Sequence, residues 1–494
     1  MWFPDRASFV FALLLAGCAA EEGADAGVDG SVAADGGRAD AGVDDADGGA
    51  GEGDAGGLDA GAPDAGAPDA GPLDPALCPI GDADGCCPLL RTGGSDPDCA
   101  SLDCDAFTAG EPILLEDLEG GWRSDETKGG TGIAWTGREL VLVRTDWDED
   151  GMTRSLVLER RDATGAVTFG PTRIAHRTST GIRSLPGEAA LAYEPSTGTL
   201  GYLDAITQAY DLVGLSLDGE ELFTARSGLA FCNWNTAWAD AVAADGRFLA
   251  MGNQYTCAGS TNTPTLSEIA VDGERLFSHA YGDGERSRNS WEGHAACERG
   301  CASVGFFWNR SYENDLRHRR VDPTAPTDGM GESLGPGYFM TSLHDLVVAS
   351  DGERYLFVDW PGSLSTGTVS MRAGVYRPGA GWDTPLARVA GPGRVPSMAR
   401  AIWTGDGYLV SAVMWDRELG ETSTPLSDPS RFEVWLFHFA PDGTLRASWR
   451  NEDDANLFPQ MAWAGGRVAL TWSRVPPRGS GEEPRRYLRW LDCP

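Results

Sequence analysis

The stretch Ile133–Gly137, IAWTG, decides the fold class, because close relatives of it recur far along the chain as Ala401–Gly405, AIWTG, and Met461–Gly465, MAWAG. Every copy has an apolar pair, a Trp, a small residue and a Gly, and every copy runs into an apolar segment: ELVLV, GYLVSAVMW or RVALTW. Short apolar segments separated by glycine turns are typical of β-strands. The motif therefore predicts a sheet unit that the chain repeats.

Weaker relatives extend the repeat over most of the chain. Unit starts lie near residues 133, 190, 241, 302, 346, 400 and 462, and the one near Ala302 (ASVGFFWN) is the most degenerate. A second hairpin follows around an Asp-Gly-like turn in LVLERRDATGAVTF, LVGLSLDGEELF, LSEIAVDGERLF and VWLFHFAPDGTLRASW. Gly at a turn position that needs a positive φ is a strong hairpin signal. Two hairpins make four strands, which is the blade of a β-propeller.

We therefore expect an all-β fold, a β-propeller of about seven four-stranded blades over residues 109–494, and six or eight blades also fit the spacing. A pair of β-sandwiches is the alternative, although the composition has no break near the middle. The last unit is incomplete, since only Arg486–Leu491 remains for its second hairpin. Pro112–Leu118 (PILLEDL) is the predicted missing strand, because a ring closed by an N-terminal strand leaves no exposed sheet edge.

Tryptophan is concentrated in the predicted propeller, which holds 16 of the 17 Trp residues. Trp135, Trp403 and Trp463 recur at the same place in the repeated motif. We expect them to pack between blades, and the alternative is a platform on which sugar rings stack.

The charge of the chain excludes nucleic acid as a partner. Its 494 residues include 74 acidic and 39 basic ones, a formal net charge of −35, whereas phosphate contacts need a basic face. Residues 19–77 hold 15 acidic residues and one basic residue, Arg38, and Gly, Ala, Asp and Glu supply 47 of these 59 residues. Such a segment has too few large apolar side chains to offset its ordering entropy, so residues 18–77 are predicted to form a disordered, acidic tether.

The N-terminus has the features of an export signal. Ser8–Gly17 is a largely apolar run of ten residues, the length of a signal-peptide core and too short to span a membrane. It ends in Leu15-Ala16-Gly17-Cys18, which resembles the lipobox of bacterial lipoproteins. The resemblance implies that residues 1–17 are a signal peptide and that Cys18 is lipidated and anchors the protein to the outer membrane, on its periplasmic or cell-surface face. The alternative is an ordinary secretory signal with a chance Cys.

Ten further cysteines predict disulfide bonds, because an even set in an exported protein is typical of a disulfide framework. The set is Cys78, Cys86, Cys87, Cys99, Cys104, Cys232, Cys257, Cys297, Cys301 and Cys493. The first five lie in a module, residues 78–108, that is too poor in apolar residues to form its own core. Since five is an odd number, Cys493 is a candidate partner for this module, with Cys232–Cys257 and Cys297–Cys301 as the remaining pairs; a sequence leaves the connectivity open.

The segment Asp146–Gly151, DWDEDG, is the candidate metal site. It resembles the start of the calcium loops of EF-hands and of integrin-type propeller blades, in which alternating carboxylates surround one ion. The resemblance implies calcium at Asp146, Asp148 and Asp150, although Arg154 and Val157 stand where those families place carboxylates. A solvated acidic hairpin is the alternative. Zinc at His294, Cys297 and Cys301 is a further alternative, with a spacing that matches no common zinc motif.

The chain has neither the H-E-x-x-H motif of a catalytic metal site nor the Walker loop of a phosphate site. No catalytic residue and no cofactor other than calcium is therefore predicted. The favoured function is a surface-tethered binding or scaffold module for an extracytoplasmic protein or glycan. The alternative is an extracytoplasmic glycosidase, another hydrolase or a lyase, with carboxylates that converge in the propeller channel. The oligomeric state is left open.

Overall fold

The computed structural model describes residues 107–115, 131–147, 153–178, 190–206, 209–230, 239–244, 246–256, 261–280, 291–298, 303–310, 315–321, 332–336, 346–360, 362–363, 368–369, 371–389, 395–415, 431–451, 456–464, 466–474, 482 and 485–492. The predicted signal peptide, Cys18, the tether and residues 78–106 of the module, which include the first five disulfide candidates, lie outside these residues. Within the part of the chain that is described, no helix has the length and apolar character needed to cross a bilayer.

The described residues form the following β-strands: β1 (Thr108–Ala109), β2 (Ile113–Leu115), β3 (Gly132–Trp135), β4 (Glu139–Trp147), β5 (Thr153–Asp162), β6 (Val167–Thr178), β7 (Ala190–Glu194), β8 (Thr199–Ile206), β9 (Ala209–Leu215), β10 (Glu221–Ala230), β11 (Ala239–Ala244), β12 (Arg247–Thr256), β13 (Thr261–Ala270), β14 (Arg275–Ala280), β15 (Trp291–Glu298), β16 (Ser303–Arg310), β17 (Asp315–Val321), β18 (Glu332–Pro336), β19 (Leu346–Ser350), β20 (Tyr355–Asp359), β21 (Gly362–Ser363), β22 (Thr368–Val369), β23 (Arg372–Arg377), β24 (Gly381–Arg388), β25 (Val395–Trp403), β26 (Tyr408–Trp415), β27 (Phe432–Phe439), β28 (Leu445–Arg450), β29 (Asn456–Trp463), β30 (Arg467–Arg474) and β31 (Arg485–Asp492).

Among the described residues, six antiparallel sheets have four strands each, and we name them blades 1 to 6. Blades 1 to 4 are β3–β6, β7–β10, β11–β14 and β15–β18; blade 5 is β19, β20, β23 and β24, with the hairpin β21–β22 inserted; blade 6 is β25–β28. The first strands of successive sheets contact one another, and β29 contacts β3. The described strands therefore form a closed ring, an all-β propeller.

A composite sheet completes the ring with strands from both ends of the described chain. Its order is β29-β30-β31, and β1 and β2 both pair with the outer edge of β31. Ile113 lies opposite Leu488 and Leu115 opposite Arg486, which confirms the predicted closing strand over Ile113–Leu115. The unit expected near residue 462 is this composite sheet. The expected count of about seven was approximate: the described strands give six four-stranded blades and the composite sheet.

The repeated Trp motif forms the turn between the first and second strands of a sheet. The Thr136 N–H donates to the Glu139 carbonyl at 3.0 Å in blade 1, and the Thr404 N–H donates to the Gly407 carbonyl at 2.9 Å in blade 6. The following residue, Gly137 or Gly405, has a φ of 100° or 98°. Residues with a side chain rarely adopt this conformation, which is why Gly is part of the motif.

The Asp-Gly hairpins join third and fourth strands through one recurrent turn. In blade 1 the Gly165 N–H donates to the Asp162 carbonyl at 2.9 Å, and the Asp162 N–H donates to the Ala166 carbonyl at 3.0 Å. The same two bonds recur at residues 216–220, 270–274 and 440–444, so all four predicted hairpins are confirmed.

Side chains of the preceding sheet also pack closely against the turn glycines. A Cβ placed on Gly219 would lie 2.4 Å from Ile174 of blade 1, and one on Gly273 would lie 2.7 Å from Phe223 of blade 2. These glycines therefore serve both the positive φ of the turn and the close approach of neighbouring sheets.

Apolar clusters fill the spaces between neighbouring sheets. Leu356 and Val358 of blade 5, for example, pack with Val410 and Met414 of blade 6, and all four are fully buried. The repeated Trp side chains belong to such clusters: Trp135 is buried, and Trp403 and Trp463 are half-buried against the clusters of their sheets. The predicted packing role of these Trp residues is confirmed.

Blade 4 departs from the expected unit boundary. Its first strand is β15, WEGHAACE, and the segment near Ala302 that was expected to start the unit contains the second strand, β16. The prediction was wrong there because β15 has no regular alternation of apolar residues, so the stronger apolar pattern of β16 marked the wrong strand.

Candidate functional site

The antiparallel strand order gives the ring two different faces. The turns between first and second and between third and fourth strands lie at one end of the sheets, which we name the turn face. The connections between second and third strands and between successive sheets lie at the other end, the loop face. Most of these connections are longer than those of the turn face, and residues 416–431 alone separate β26 from β27, whereas residues 207–208 suffice between β8 and β9. Binding residues concentrate on loops that a rigid scaffold positions, so the loop face is the candidate binding surface.

Charged side chains are buried in the second strands near the loop face. Arg144, Asp204 and Asp359 lie in the loop-face halves of β4, β8 and β20, with 0%, 1% and 7% of their surface exposed. A buried charge is stable only when it is paired and hydrogen-bonded. The partners of these residues therefore determine how firmly the strand ends beneath the loops are held.

Asp146, the first predicted calcium ligand, lies in the interface between blade 1 and the composite sheet, which we name the closure seam. Its Oδ1 accepts a hydrogen bond from Arg486 Nη1 at 2.7 Å. Arg486 Nη2 also donates to the Thr145 carbonyl at 2.6 Å. Both charged side chains are buried, so the pair ties the last strand of the composite sheet to the second strand of blade 1.

The calcium prediction itself stays untested. Asp148 and Asp150 lie outside the described residues, and Asp146 is engaged by the guanidinium of Arg486. Over the residues that the structure does describe, no group of three or more His, Cys, Asp or Glu side chains is placed to hold a metal ion.

A row of further charges continues along the closure seam on the same face of blade 1. Glu159 accepts a hydrogen bond from Arg144 Nη1 at 2.9 Å and from Arg161 Nε at 2.6 Å. These three side chains are at most 10% exposed. Together with the first pair they form an alternating series that we name the seam charges: Arg161, Glu159, Arg144, Asp146 and Arg486. Each carboxylate of the series has a guanidinium partner, which avoids a bare buried charge.

Arg467 makes contacts across the closure seam at its turn-face end. Its Nη1 donates to the Ala163 carbonyl of blade 1 at 2.8 Å, and its guanidinium lies 5.0 Å from the centroid of the Trp490 ring and pairs with Asp492. The seam is thus held by polar contacts at both ends, with an apolar cluster between them.

Blade 5 holds a buried ion pair within one sheet. Asp359 and Arg372 lie opposite each other on β20 and β23, and Arg372 Nε donates to Asp359 Oδ1 at 2.8 Å while Nη2 donates to Oδ2. Burial raises the pKa of Asp359 above its ordinary value, and the hydrogen bonds from Arg372 oppose that rise.

Blade 2 carries two carboxylates in the corresponding region. Asp204 and Asp211 lie opposite each other on β8 and β9, and Asp211 Oδ1 is 3.5 Å from Arg226 Nε. Three sheets therefore have charged side chains fixed just beneath the loop face.

The innermost strands surround the ring axis and carry mainly small and apolar side chains, such as Ile133, Ala134, Ala192 and Val347. Where their side chains are described, the one carboxylate is Glu194, whose Oε1 accepts hydrogen bonds from the Ser196 N–H and hydroxyl at 2.9 and 2.6 Å. The Glu194 carboxylate is therefore hydrogen-bonded within its own turn rather than engaged at the ring axis.

Two innermost strands share an irregularity. Arg400 in β25 and Gln460 in β29 each follow a β-bulge, and each is 8% exposed. Phe458, within the second bulge, has a φ of 55°. A non-glycine residue in this region is strained, and such strain persists only where the surrounding packing fixes the backbone.

Of the predicted disulfide residues, Cys297 lies in β15, opposite Val304, and the other nine lie outside the described residues. The pairing of these cysteines stays a prediction. The seam charges, by contrast, were not singled out from the sequence apart from Asp146. The available signal was a charged residue inside an otherwise apolar strand, as in ELVLVRTDW and RRYLRWLD.

No protein-family model and no curated protein matches the chain. Among solved structures, the chain is similar to the polysaccharide lyase Uly1, at 10% identity and a TM-score of 0.48, with 77% of this chain and 94% of that chain covered.

It is also similar to the β-propeller domain of Cps50 (Swd1) from Myceliophteria thermophila, at 11% identity and a TM-score of 0.43 over 74% and 97% of the two chains. A third likeness is to the Dos1 propeller, at 9% identity and a TM-score of 0.40 over 78% and 95%. These are likenesses of fold alone, and the strand topology described above makes the chain an all-β propeller protein.

Proposed function

We propose that the protein is a lipoprotein anchored to the outer membrane through Cys18, whose propeller binds an extracytoplasmic protein or glycan. The observation that carries the proposal is the division of the ring into a face on which most connections are tight turns and a face on which most connections are longer. A scaffold of this kind varies its loops while the sheets stay fixed, which is how binding surfaces are commonly built.

The buried ion pairs beneath the loop face support this proposal. Asp146–Arg486 and Asp359–Arg372 hold the ends of strands from which loops depart. Rigid strand ends lower the entropy that the loops lose when a ligand binds, because their anchor points are already in place.

The tether supports the placement of the propeller away from the membrane. On composition alone, we expect residues 18–77 to form a flexible acidic coil with a mean reach of roughly 40–45 Å, and acyl chains on Cys18 would supply about 0.8 kcal/mol per buried methylene. An anchored protein with a long spacer presents its folded part to partners in the surrounding compartment.

The anchor is tested by replacing Cys18 with Ala and feeding cells a palmitate analogue. We expect the variant to lose both the label and its membrane fractionation. Cys493→Ala is the matched control, since it removes a cysteine outside the lipobox and should keep the label. Label retained by the Cys18 variant would contradict the proposal.

Binding is tested with the full chain carrying Cys18→Ala, presented to a glycan array and to a peptide-display library. Replacing residues 417–430 by a short Gly-Ser linker removes the longest loop-face connection, and we expect it to weaken binding while the melting temperature stays within a few degrees. Turnover of a polysaccharide, detected as new reducing ends or unsaturated products, would instead favour a hydrolase or lyase.

Calcium at Asp146, Asp148 and Asp150 remains a proposal for this loop. A bound ion would have to share Asp146 with Arg486, and the two cations repel each other. Melting the chain in millimolar calcium and in chelator tests the ion, because a ligand that binds the folded state raises the melting temperature. Identical melting temperatures would reject it.

A further inference from the structure

Two exposed leucines occupy the same structural position in neighbouring blades. Leu222 in β10 is 47% exposed and Leu276 in β14 is 49% exposed. Each is the extra residue of a β-bulge, since the strand pairing passes from Glu221 directly to Phe223 in blade 2 and skips Leu276 in the same way in blade 3. A bulge redirects its extra side chain away from the regular pattern of the strand, which explains the exposure.

The bulge itself does not require an apolar residue. Blade 1 has Thr168 and blade 6 has Arg446 at this position, as the skipped pairings of their outer strands show. Both blades form the same turn, with the same two backbone hydrogen bonds, before the bulge. Leucine at positions 222 and 276 is therefore not explained by the fold, and exposed apolar side chains shared by adjoining elements are typical of binding surfaces.

The two bulges lie on adjoining parts of the ring. Strands β10 and β14 contact each other, and Phe223, the residue after Leu222, packs over Gly273 in the turn that precedes Leu276. The turn face of blades 2 and 3 thus joins the two leucines into one region.

The exposed charges of this region have mostly one sign. Between residues 218 and 222 and between 272 and 276, five exposed carboxylates accompany one exposed guanidinium; they are Asp218, Glu220, Glu221, Asp272 and Glu274, against Arg275. Such a field attracts cationic partners and repels anionic ones. Leucines within an acidic surface complement a partner that combines basic and large apolar side chains.

We propose that this surface, which we name the bulge patch (Leu222, Leu276 and the five carboxylates), docks a basic protein segment with large apolar side chains. The proposal goes beyond the proposed function, because the bulge patch lies on the turn face and not on the loop face, and it assigns this second surface a polypeptide ligand rather than a glycan. Leucine side chains supply the apolar contact, and the carboxylates orient the basic residues around it.

The test pans a random peptide-display library against the full chain carrying Cys18→Ala. In the test variant, Leu222→Thr and Leu276→Thr introduce the residue type that blade 1 carries at the same bulge. In the control, Leu114→Thr and Val167→Thr change two side chains of similar exposure, 43% and 48%, outside the patch. We expect enriched peptides that combine Lys or Arg with Leu, Ile or Phe, an affinity at least tenfold lower for the test variant, and unchanged affinity for the control.

A second variant separates the charges from the leucines. Glu220→Gln, Glu221→Gln and Glu274→Gln should slow association and flatten its dependence on salt, because rim charges act mainly on the encounter rate. Melting temperatures of all variants should stay within a few degrees of the parent chain, which excludes unfolding as the cause of lost binding.

The outcomes distinguish this proposal from the proposed function. Peptides that bind the Leu222/Leu276 variant as well as the parent, or enriched peptides without basic residues, would overturn the bulge patch while a binding function stands. Binding of glycans without any peptide binder would do the same. Polysaccharide turnover with no binding partner of either class would overturn both.

Discussion

The closure seam and the interface between blades 5 and 6 join neighbouring sheets of one ring with different residues. Between blades 5 and 6 the contact is an apolar cluster of Val, Leu, Met, Ala, Tyr and Phe side chains. At the closure seam an apolar cluster is accompanied by Arg486–Asp146, by the Arg144–Glu159–Arg161 group and by Arg467. Blades 5 and 6 follow each other along the chain, whereas the seam joins residues about 340 positions apart.

The difference indicates where register has to be specified. A short connection already limits how blade 6 can dock on blade 5, so apolar packing is sufficient there. The composite sheet is connected to blade 1 only through residues 116–131, between β2 and β3, and strands β29 to β31 have no short connection to blade 1. We infer that paired charges select one register at the seam, because apolar contacts alone tolerate sliding, whereas a displaced buried charge loses its partner.

The largest effect should come from removing the closing strand. A chain that starts at residue 116 lacks Leu115, which is 1% exposed in the seam cluster, and Phe107, which packs against the cluster between blade 6 and the composite sheet. We expect a melting temperature lower by more than about 10 °C, since two interfaces are opened at once. A chain that starts at residue 107 is the control and should melt like the parent. Equal melting of both chains would contradict the role given to β1 and β2.

Breaking the seam ion pair should be the next largest change. Arg486→Met leaves Asp146 buried without the guanidinium of Arg486, and we expect the free energy of unfolding to fall by about 3–5 kcal/mol in urea titrations. The double variant Arg486→Met, Asp146→Leu should recover much of this loss, since neither charge of this pair is then left buried without the other. A double variant as unstable as the single one would mean that the guanidinium contributes mainly through packing.

The interface between blades 5 and 6 should respond to volume rather than to charge. Leu356 is fully buried there, and Leu356→Ala should lower the free energy of unfolding by about 2–5 kcal/mol by creating a cavity. Leu356→Met keeps the volume and should lower it by less than about 1.5 kcal/mol. Urea titrations measure both, and equal losses in the two variants would argue against packing as the source of stability.

A turn glycine at the seam should be more sensitive than one elsewhere. Gly165 has a φ of 88°, and a Cβ there would lie 2.9 Å from Trp490 Nε1 of the composite sheet. Gly198 has a φ of 67° and nothing within 4 Å. We expect Gly198→Ala to cost about 1 kcal/mol from the backbone alone and Gly165→Ala to exceed it clearly. Thermal melts of the two variants give the comparison, and similar losses of stability would mean that the contact with Trp490 does not add to the cost of the Gly165 substitution.

The smallest effect concerns pH. Burial raises the folded-state pKa of Asp359 above its ordinary value of 3.8, so the folded protein keeps this proton to a higher pH than the unfolded chain does. Stability contributed by this group therefore falls as the pH rises from about 3.8 toward the folded-state pKa.

Asp359→Asn should remove that slope. Asp162 supplies the opposite sign, because the hydrogen bond from Thr164 lowers its pKa and its contribution is lost as the pH falls below the ordinary value. Urea titrations at several pH values between about 3 and 6 would show the two slopes, and an unchanged slope in the Asn variant would contradict the assignment.

Much of the architecture follows from local sequence patterns. The four Asp-Gly hairpins, the Trp-Thr-Gly turns and the closing strand near Ile113 all have strand alternation or turn residues that act within a few positions. Blade 4 was misplaced because β15 lacks that alternation. The seam charges were not predicted from the sequence for another reason. Arg486 and Asp146 are recognised as partners only once two distant strands are known to be neighbours. The sequence of a strand that contains a single Arg does not indicate which carboxylate will pair with it.

The composite sheet also determines the order in which the sheets can form during synthesis. Ile113 pairs with Leu488, which is 375 residues later, whereas each of blades 1 to 6 is completed from one continuous stretch of chain. A chain made from its N-terminus can form the blades one after another, while β1 and β2 remain unpaired until β31 is synthesised, after all six blades. Contacts between residues so far apart in the chain form slowly, and an unpaired sheet edge can meanwhile pair with the wrong strand or with another chain. Termination before Arg485, the first residue of β31, would therefore leave most blades intact and the ring open.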